Sequence, residues 1–209
     1  MSYSRREALL ALPASAVMAG FAAGQPTREA PVAAATDPQF APCLLIGGRK
    51  QVENCTFALT KLQSDDAKAF AKAEIAEHET MKKQLKGLGY DYPLAPATAG
   101  AGRAKVTAGT APVSADAAAM IVLDHEVADQ CIVNYRAEMG KLAGREFDKR
   151  FVGHQLDEHM ALLDNVQTFR KHATPEMETV LADGQKTIEA HIAALKGMMA
   201  SLDGKAKSD

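Results

Sequence analysis

The chain has 209 residues, with 24 Lys and Arg against 26 Asp and Glu, and a formal net charge of −2. A mildly acidic chain without a basic stripe has no electrostatic footing on nucleic acid. Apolar residues make up 47 % of the chain and Trp is absent; because the apolar share leans on alanine and is poor in β-branched residues, it favours helix and one domain with a real core over a sheet fold.

The first residues read Ser4-Arg5-Arg6-Glu7-Ala8-Leu9-Leu10 and pass into a mostly apolar stretch interrupted by Pro13 and Ser15. A basic start, a short apolar middle and then small residues predict an export signal peptide over residues 1–23. A membrane span would need roughly 20 apolar residues and a stop-transfer flank. Adjacent arginines after a serine resemble a twin-arginine export signal, with an ordinary secretory leader as the alternative. The expected destination is the periplasm or cell envelope, with no transmembrane span once the leader is removed.

Residues 24–48 are rich in proline, glycine and alanine and read as a linker. A helical bundle domain is expected over 49–203, followed by a frayed, charged tail over 204–209. Its first helix is short, about 51–62, with Val52, Cys55, Leu59 and Leu62 on one face. Ser64 is placed to cap a second helix running to about residue 88, and Asp65 and Asp66 put negative charge in its first turn. The stripe Phe70, Glu74, His78, Met81, Leu85 and Leu88 has helical spacing.

A long Pro-, Ala-, Gly- and Thr-rich run over 90–113 then suits a crossover connection. A third helix follows over about 114–142, carrying His125 on its stripe. The fourth spans about 145–171 and carries His159; the fifth runs from Pro175 to about residue 202 and carries His191. Only Lys171-His172-Ala173-Thr174 joins those two, which forces them to pack side by side. No segment alternates as a strand does. The expected class is therefore all-α: an antiparallel, ferritin-like bundle of four long helices plus a shorter one, with one long crossover.

The chemistry resides in the histidines. A single histidine on an apolar stripe is ordinarily a hydrogen-bonded core residue. Four of them, His78, His125, His159 and His191, on the stripes of four helices are another matter, because buried titratable rings cost free energy unless partners satisfy them. An acid directly precedes three of these rings: Glu77, Asp124 and Glu158. Each is rotated about 100° from its histidine, close enough to serve at the rim of the same seam. His154 and His172 read as solvated. Carboxylate-bridged di-iron bundles use Glu-x-x-His, but Ile75, Leu156 and Ile188 stand three before His78, His159 and His191. An imidazole-rich set with Glu53, Glu74 or Glu77 suits zinc or copper better than a di-iron pair. Met81 and Met160 stand near the histidines as further soft donors or as core filler. Cys43 and Cys55 either pair in an oxidising compartment or remain small buried residues.

Two blocks of the chain resemble a bacterial exported family, described as ferritin-like and known as domain of unknown function four-one-four-two. The first block comprises Val52-Glu53 through Ala58, Ala67-Lys68-Ala69-Phe70-Ala71 and Glu77-His78. The second runs from Leu142-Ala143-Gly144-Arg145-Glu146-Phe147-Asp148 through His159 and closes with Ile188-Glu189-Ala190-His191. The Gly-x-x-Phe-Asp turn followed by a histidine in the same helix is its most specific piece. The resemblance implies an exported antiparallel bundle with the family's histidines at His78, His159 and His191, and it carries no established reaction. The leading expectation is a transition-metal site formed by His78, His159 and His191 with Glu77 or Glu53. The alternatives are a metal-free structural or interaction protein of the envelope, and a metal-dependent oxidase or peroxide-consuming enzyme.

Overall fold

The computed structural model describes residues 37–92, 107–108, 111–112 and 115–204. The expected leader, the linker up to residue 36, most of the connection before the third helix and the extreme C-terminal tail fall outside the described residues. What is described is helical: α1 (Asp37–Leu59), α2 (Asp65–Gly87), α3 (Ala115–Gly140), α4 (Gly144–Phe169) and α5 (Pro175–Gly204). A two-residue antiparallel ladder, β1 (Thr107–Ala108) with β2 (Ala111–Pro112), lies in the connection before α3. Alternation over so few residues leaves no periodic trace, so the sequence gave no sign of it.

The main departure from expectation is α1. It begins at Asp37 rather than near Gln51 and is 23 residues long. Pro38, Pro42 and the pair Gly47-Gly48 look like breakers, and Pro42 has no N–H for the carbonyl four residues back. Packing overrides that cost: Phe40, Ala41, Leu45 and Ile46 are all buried, and Phe40 stacks on Phe169 with ring centroids 4.8 Å apart. The buried Asp37 carboxylate accepts from the Thr174 backbone N–H at 3.0 Å and from its hydroxyl, tying the start of α1 to the α4–α5 turn. The longer helix also settles the cysteines. Cys43 and Cys55 lie on one helix, roughly 18 Å apart at 1.5 Å per residue, far beyond the ~7 Å that a disulfide spans. All three thiols, Cys43, Cys55 and Cys131, are free.

Elsewhere the local signals hold. The Ser64 hydroxyl caps α2 by accepting from the Ala67 N–H at 3.3 Å, and Gly89, just beyond that helix, adopts φ 91°. Gly144 opens α4 at φ 59°, a conformation that a side chain would strain. Phe147 and Asp148 then turn inward, the ring fully buried and the carboxylate nearly so. Asp148 accepts from the backbone N–H groups of Gln63 at 2.9 Å and Ser64 at 2.7 Å, which fastens the α1–α2 turn to the first turn of α4.

Two apolar clusters form the core. One gathers Cys55, Phe70, Phe147, Phe151 and Leu195 with others; the second gathers Phe40, Leu45, Leu85, Val166, Met177 and Leu181. Both draw on α1, α2, α4 and α5. The third helix packs chiefly on α1, through Ile121 and Ala128 against Ile46 and through Tyr135 and Met139 at the edge of the first cluster. Hence α1, not α3, completes the central four helices. Among the described residues no helix is long and apolar enough to cross a membrane.

Candidate metal centre

Between the two apolar clusters lies a polar layer centred on Glu74. This carboxylate sits mid-way along α2 on the stripe that also carries Phe70 and His78, and it is 2 % exposed. His159 of α4 and His191 of α5 approach the same oxygen. Glu74 Oε1 is 2.6 Å from His191 Nδ1 and 3.0 Å from His159 Nε2, and the two ring nitrogens are 3.2 Å apart. These three atoms form a compact triangle, and among the described residues Glu74, His159 and His191 are a group of donors whose spacing could hold a single ion. Ligands at 2.0–2.2 Å in a tetrahedron stand about 3.3–3.6 Å apart, so an ion requires the two edges at His159 Nε2 to widen by a few tenths of an ångström and the 2.6 Å edge between Glu74 and His191 to open by roughly 0.7–1.0 Å.

The outer nitrogen of each ring is already held. His159 Nδ1 lies 2.7 Å from the Gln155 backbone carbonyl; a carbonyl only accepts, so Nδ1 carries the hydrogen. His191 Nε2 lies 3.0 Å from Glu77 Oε2 and donates to it. With the outer nitrogens so held, both inner nitrogens can turn a lone pair to a cation once the proton between them and Glu74 is displaced. Metal-bound histidines are ordinarily fixed in this way through the opposite ring N–H. Gln155 is itself completely buried and donates through Nε2 to Gln51 Oε1 at 3.2 Å, which fixes the α4 backbone against α1. The Phe70 ring, with centroid distances of 5.1 Å to His191 and 5.7 Å to His159, covers the cluster on one side.

Compared with protein-family models, curated proteins and solved structures, the chain matches none. The geometry of its own residues is therefore what bears on function.

The carboxylate is strongly perturbed. Burial pushes the Glu74 pKa up, but the rings of His159 and His191 against the carboxylate, with His78 beyond them, outweigh burial and hold it well below the usual carboxylate range. His191 responds in the opposite sense: burial pushes its pKa down, and the hydrogen bond and charge of Glu74, with Glu77 behind, raise it on balance. In the absence of an ion, one proton shared in the triangle keeps the lone pairs from facing one another. Glu74 Oε2 is the exception to this satisfaction. His78 Nε2 stands 3.3 Å away without hydrogen-bond alignment, leaving Oε2 buried and unpaired.

Of the five residues expected to hold a metal, His159 and His191 meet at the triangle. His78 flanks it on the far side of the carboxylate, and Glu77 stands behind His191, partly exposed. Glu53 is elsewhere: its carboxylate pairs with Arg49 at 3.3 Å and Arg136 at 2.9 Å, on the α3 side of α1. Gln51 turns the inner face of α1 toward Gln155, and two residues further on, about 200° round the helix, Glu53 faces away. Glu74 is the central donor; its place on the α2 stripe was the sign, but helical period alone does not reveal which acid comes level with a ring on another helix.

The remaining expectations sort in the same way. His125 contacts the Tyr92 hydroxyl at 3.2 Å and belongs to the α3 side. Glu158 does not support His159; it takes Lys50 at 2.6 Å and Gln51 at 3.4 Å. His154, expected in solvent, instead packs on the Tyr135 ring with centroids 4.9 Å apart, and burial lowers its pKa. His172 is exposed.

A cavity of about 360 Å³ opens beside the triangle, with Glu74, His159 and His191 in its wall and Phe169 and Leu181 among its apolar lining.

Proposed function

We propose that the protein is an exported, periplasmic, ferritin-like antiparallel bundle that holds one divalent transition ion between Glu74, His159 and His191. The observation that carries the reading is the convergence of two imidazole nitrogens and a carboxylate oxygen within 3.2 Å of one another, with the outer nitrogen of each ring held, His159 by the Gln155 carbonyl and His191 by Glu77. The unpaired Glu74 Oε2 adds a second carboxylate atom able to bind an ion or a bound water. Two imidazoles and one carboxylate with an open position make the donor set of catalytic zinc and of non-haem iron(II). One buried carboxylate between two imidazoles suits a single ion better than a di-iron pair, and the absence of a cysteine or methionine from the triangle removes the case for a soft copper(I) site. The resemblance to the exported family, carried by Gly144 through Asp148 and by the three histidines, supports the same envelope location.

Metal analysis of protein produced without a histidine tag tests the reading. One equivalent of ion per chain is expected, with a rise in Tm on adding zinc, and both are lost in the double variant His159→Ala/His191→Ala. Stoichiometric metal that survives the double variant, or none in wild type after reconstitution with zinc, copper(II) and iron(II), refutes it. The specific observation favouring a metal-free envelope protein is that Glu74 and Glu77 already satisfy His191 at 2.6 and 3.0 Å. That alternative predicts indifference to chelators.

A further inference from the structure

The cavity beside the triangle has a built asymmetry. Glu74, His78, His159 and His191 give one part of its wall polar donors, while Leu44, Met81, Leu162, Val166, Phe169 and Ile188, with Asn165, Gln84 and Thr187 between them, make the remainder largely apolar. An apolar cavity of about 150 Å³ accepts benzene, so about 360 Å³ accommodates a body of roughly ten to fifteen non-hydrogen atoms, at the small end of ligand sites. Gly47 lies in its wall, and a side chain added there meets nothing within 4 Å. That stretch of α1 therefore borders open space, in a helix where glycine is otherwise costly.

The charges at the wall select the occupant. Glu74, Glu77, Glu158 and Asp183 are acidic; Lys50, which also lines the cavity, has its ammonium 2.6 Å from Glu158, and Asp183 pairs with Lys186 at 2.8 Å. A divalent ion balances Glu74 and Glu77, so a carboxylate or phosphate entering this space finds no unpaired ammonium among the described lining residues and a largely apolar wall that offers its charge nothing. An uncharged molecule meets neither obstacle, and its lone pair can take the position left open by three protein ligands.

We propose that this cavity receives a small, uncharged, largely apolar molecule with one nitrogen, oxygen or sulfur donor, bound with that donor on the ion and its body against the apolar wall. The inference rests on the metal reading above and adds the class of ligand. Cobalt(II)-loaded full-length protein, titrated with 4-phenylimidazole and in parallel with phenylacetate, provides the test, because coordination alters the visible cobalt bands and calorimetry gives the affinity. The neutral probe is expected to shift the bands and to bind at least tenfold more tightly than the anion. Gly47→Leu, which fills the space and improves helix propensity, and Leu162→Trp, which fills it from the opposite side, are each expected to weaken the probe at least tenfold while cobalt stoichiometry stays the same. Equal probe affinity in both filled variants, tighter binding of phenylacetate, or cobalt bands indifferent to the probe overturns the inference and leaves the metal reading standing. Failure of wild type to bind cobalt at all overturns both.

Discussion

Replacing Glu74 by glutamine keeps the shape of the side chain and removes its charge, which isolates the feature holding three helices at one point. Oε1 lies 2.6 and 3.0 Å from His191 Nδ1 and His159 Nε2 and accepts the one proton shared in the triangle, in a position 2 % exposed to solvent. A hydrogen bond to a charged group contributes about 1.5–3 kcal/mol, against about 0.5–1.5 for a neutral one. Downgrading that bond therefore costs about 1–1.5 kcal/mol in metal-free protein, or a fall in Tm of roughly 2–6 °C for a chain of this size.

The cost has a defined pH window. Glu74 is shifted below the ordinary glutamate value of 4.5, so its contribution is present above about pH 4.5 and is lost as pH falls toward its folded pKa. His191 is shifted above the ordinary histidine value of 6.5, so the same interaction is complete below about pH 6.5 and is lost as pH rises through its folded pKa. The gap between wild type and Glu74→Gln, read by thermal unfolding in chelator, is expected to be widest between those values and to narrow on both sides. A gap below about 1 °C at pH 5.5, or one that widens steadily toward pH 9, refutes the reasoning. The companion variant Glu74→Met/His159→Leu/His191→Leu replaces the whole group by apolar side chains and is expected to be no less stable than wild type. Removing one partner of a buried charged set strands the others, whereas removing all does not. That contrast would mark the triangle as kept for binding rather than for stability.

Two further predictions concern the scaffold. Asp148→Ala leaves the Gln63 and Ser64 backbone N–H groups without their buried acceptor and is expected to cost about 2–4 kcal/mol, read by urea denaturation; a loss under about 0.5 kcal/mol contradicts the role given to the Gly144 turn. His154→Phe tests the partly buried ring on Tyr135: burial lowers the His154 pKa, so wild-type stability is complete above about pH 6.5 and falls below it as the unfolded chain takes up the proton more readily. The variant lacks that loss, and the difference in its favour should grow between pH 7.5 and 5.0; a difference independent of pH would show that His154 titrates as it does in water.

The parts legible in the sequence were those specified locally. Ser64, Gly144 and Pro175 fix helix starts by backbone chemistry that acts over a few residues, and the inward phase of His159 and His191 follows from period alone. The start of α1 was hidden because Pro38, Pro42, Gly47 and Gly48 argue for a linker, and only burial of Phe40 and Leu45 against other helices outweighs them. The site was legible in kind but not in membership. Glu77 and Glu53 were as plausible as Glu74 until the axial height of each helix and its rotation against its neighbours were known, and those quantities are set by tertiary packing. His154 was misjudged for a related reason: its face looks polar along α4, yet Tyr135 from α3 lies over it.

The tie between Asp148 and Ser64 acts as a common origin from which α2 and α4 are measured off. Ten residues take α2 from Ser64 to Glu74, and eleven take α4 from Asp148 to His159; at 1.5 Å per residue the two side chains arrive roughly 15 and 16 Å above that origin, nearly level. A single residue deleted between Asp148 and His159 would lower the ring by about 1.5 Å and swing it about 100° away from the carboxylate. Chain length between these two points is therefore under tighter constraint than the identity of most side chains along it, and the helices keep time with one another because they set out from the same carboxylate.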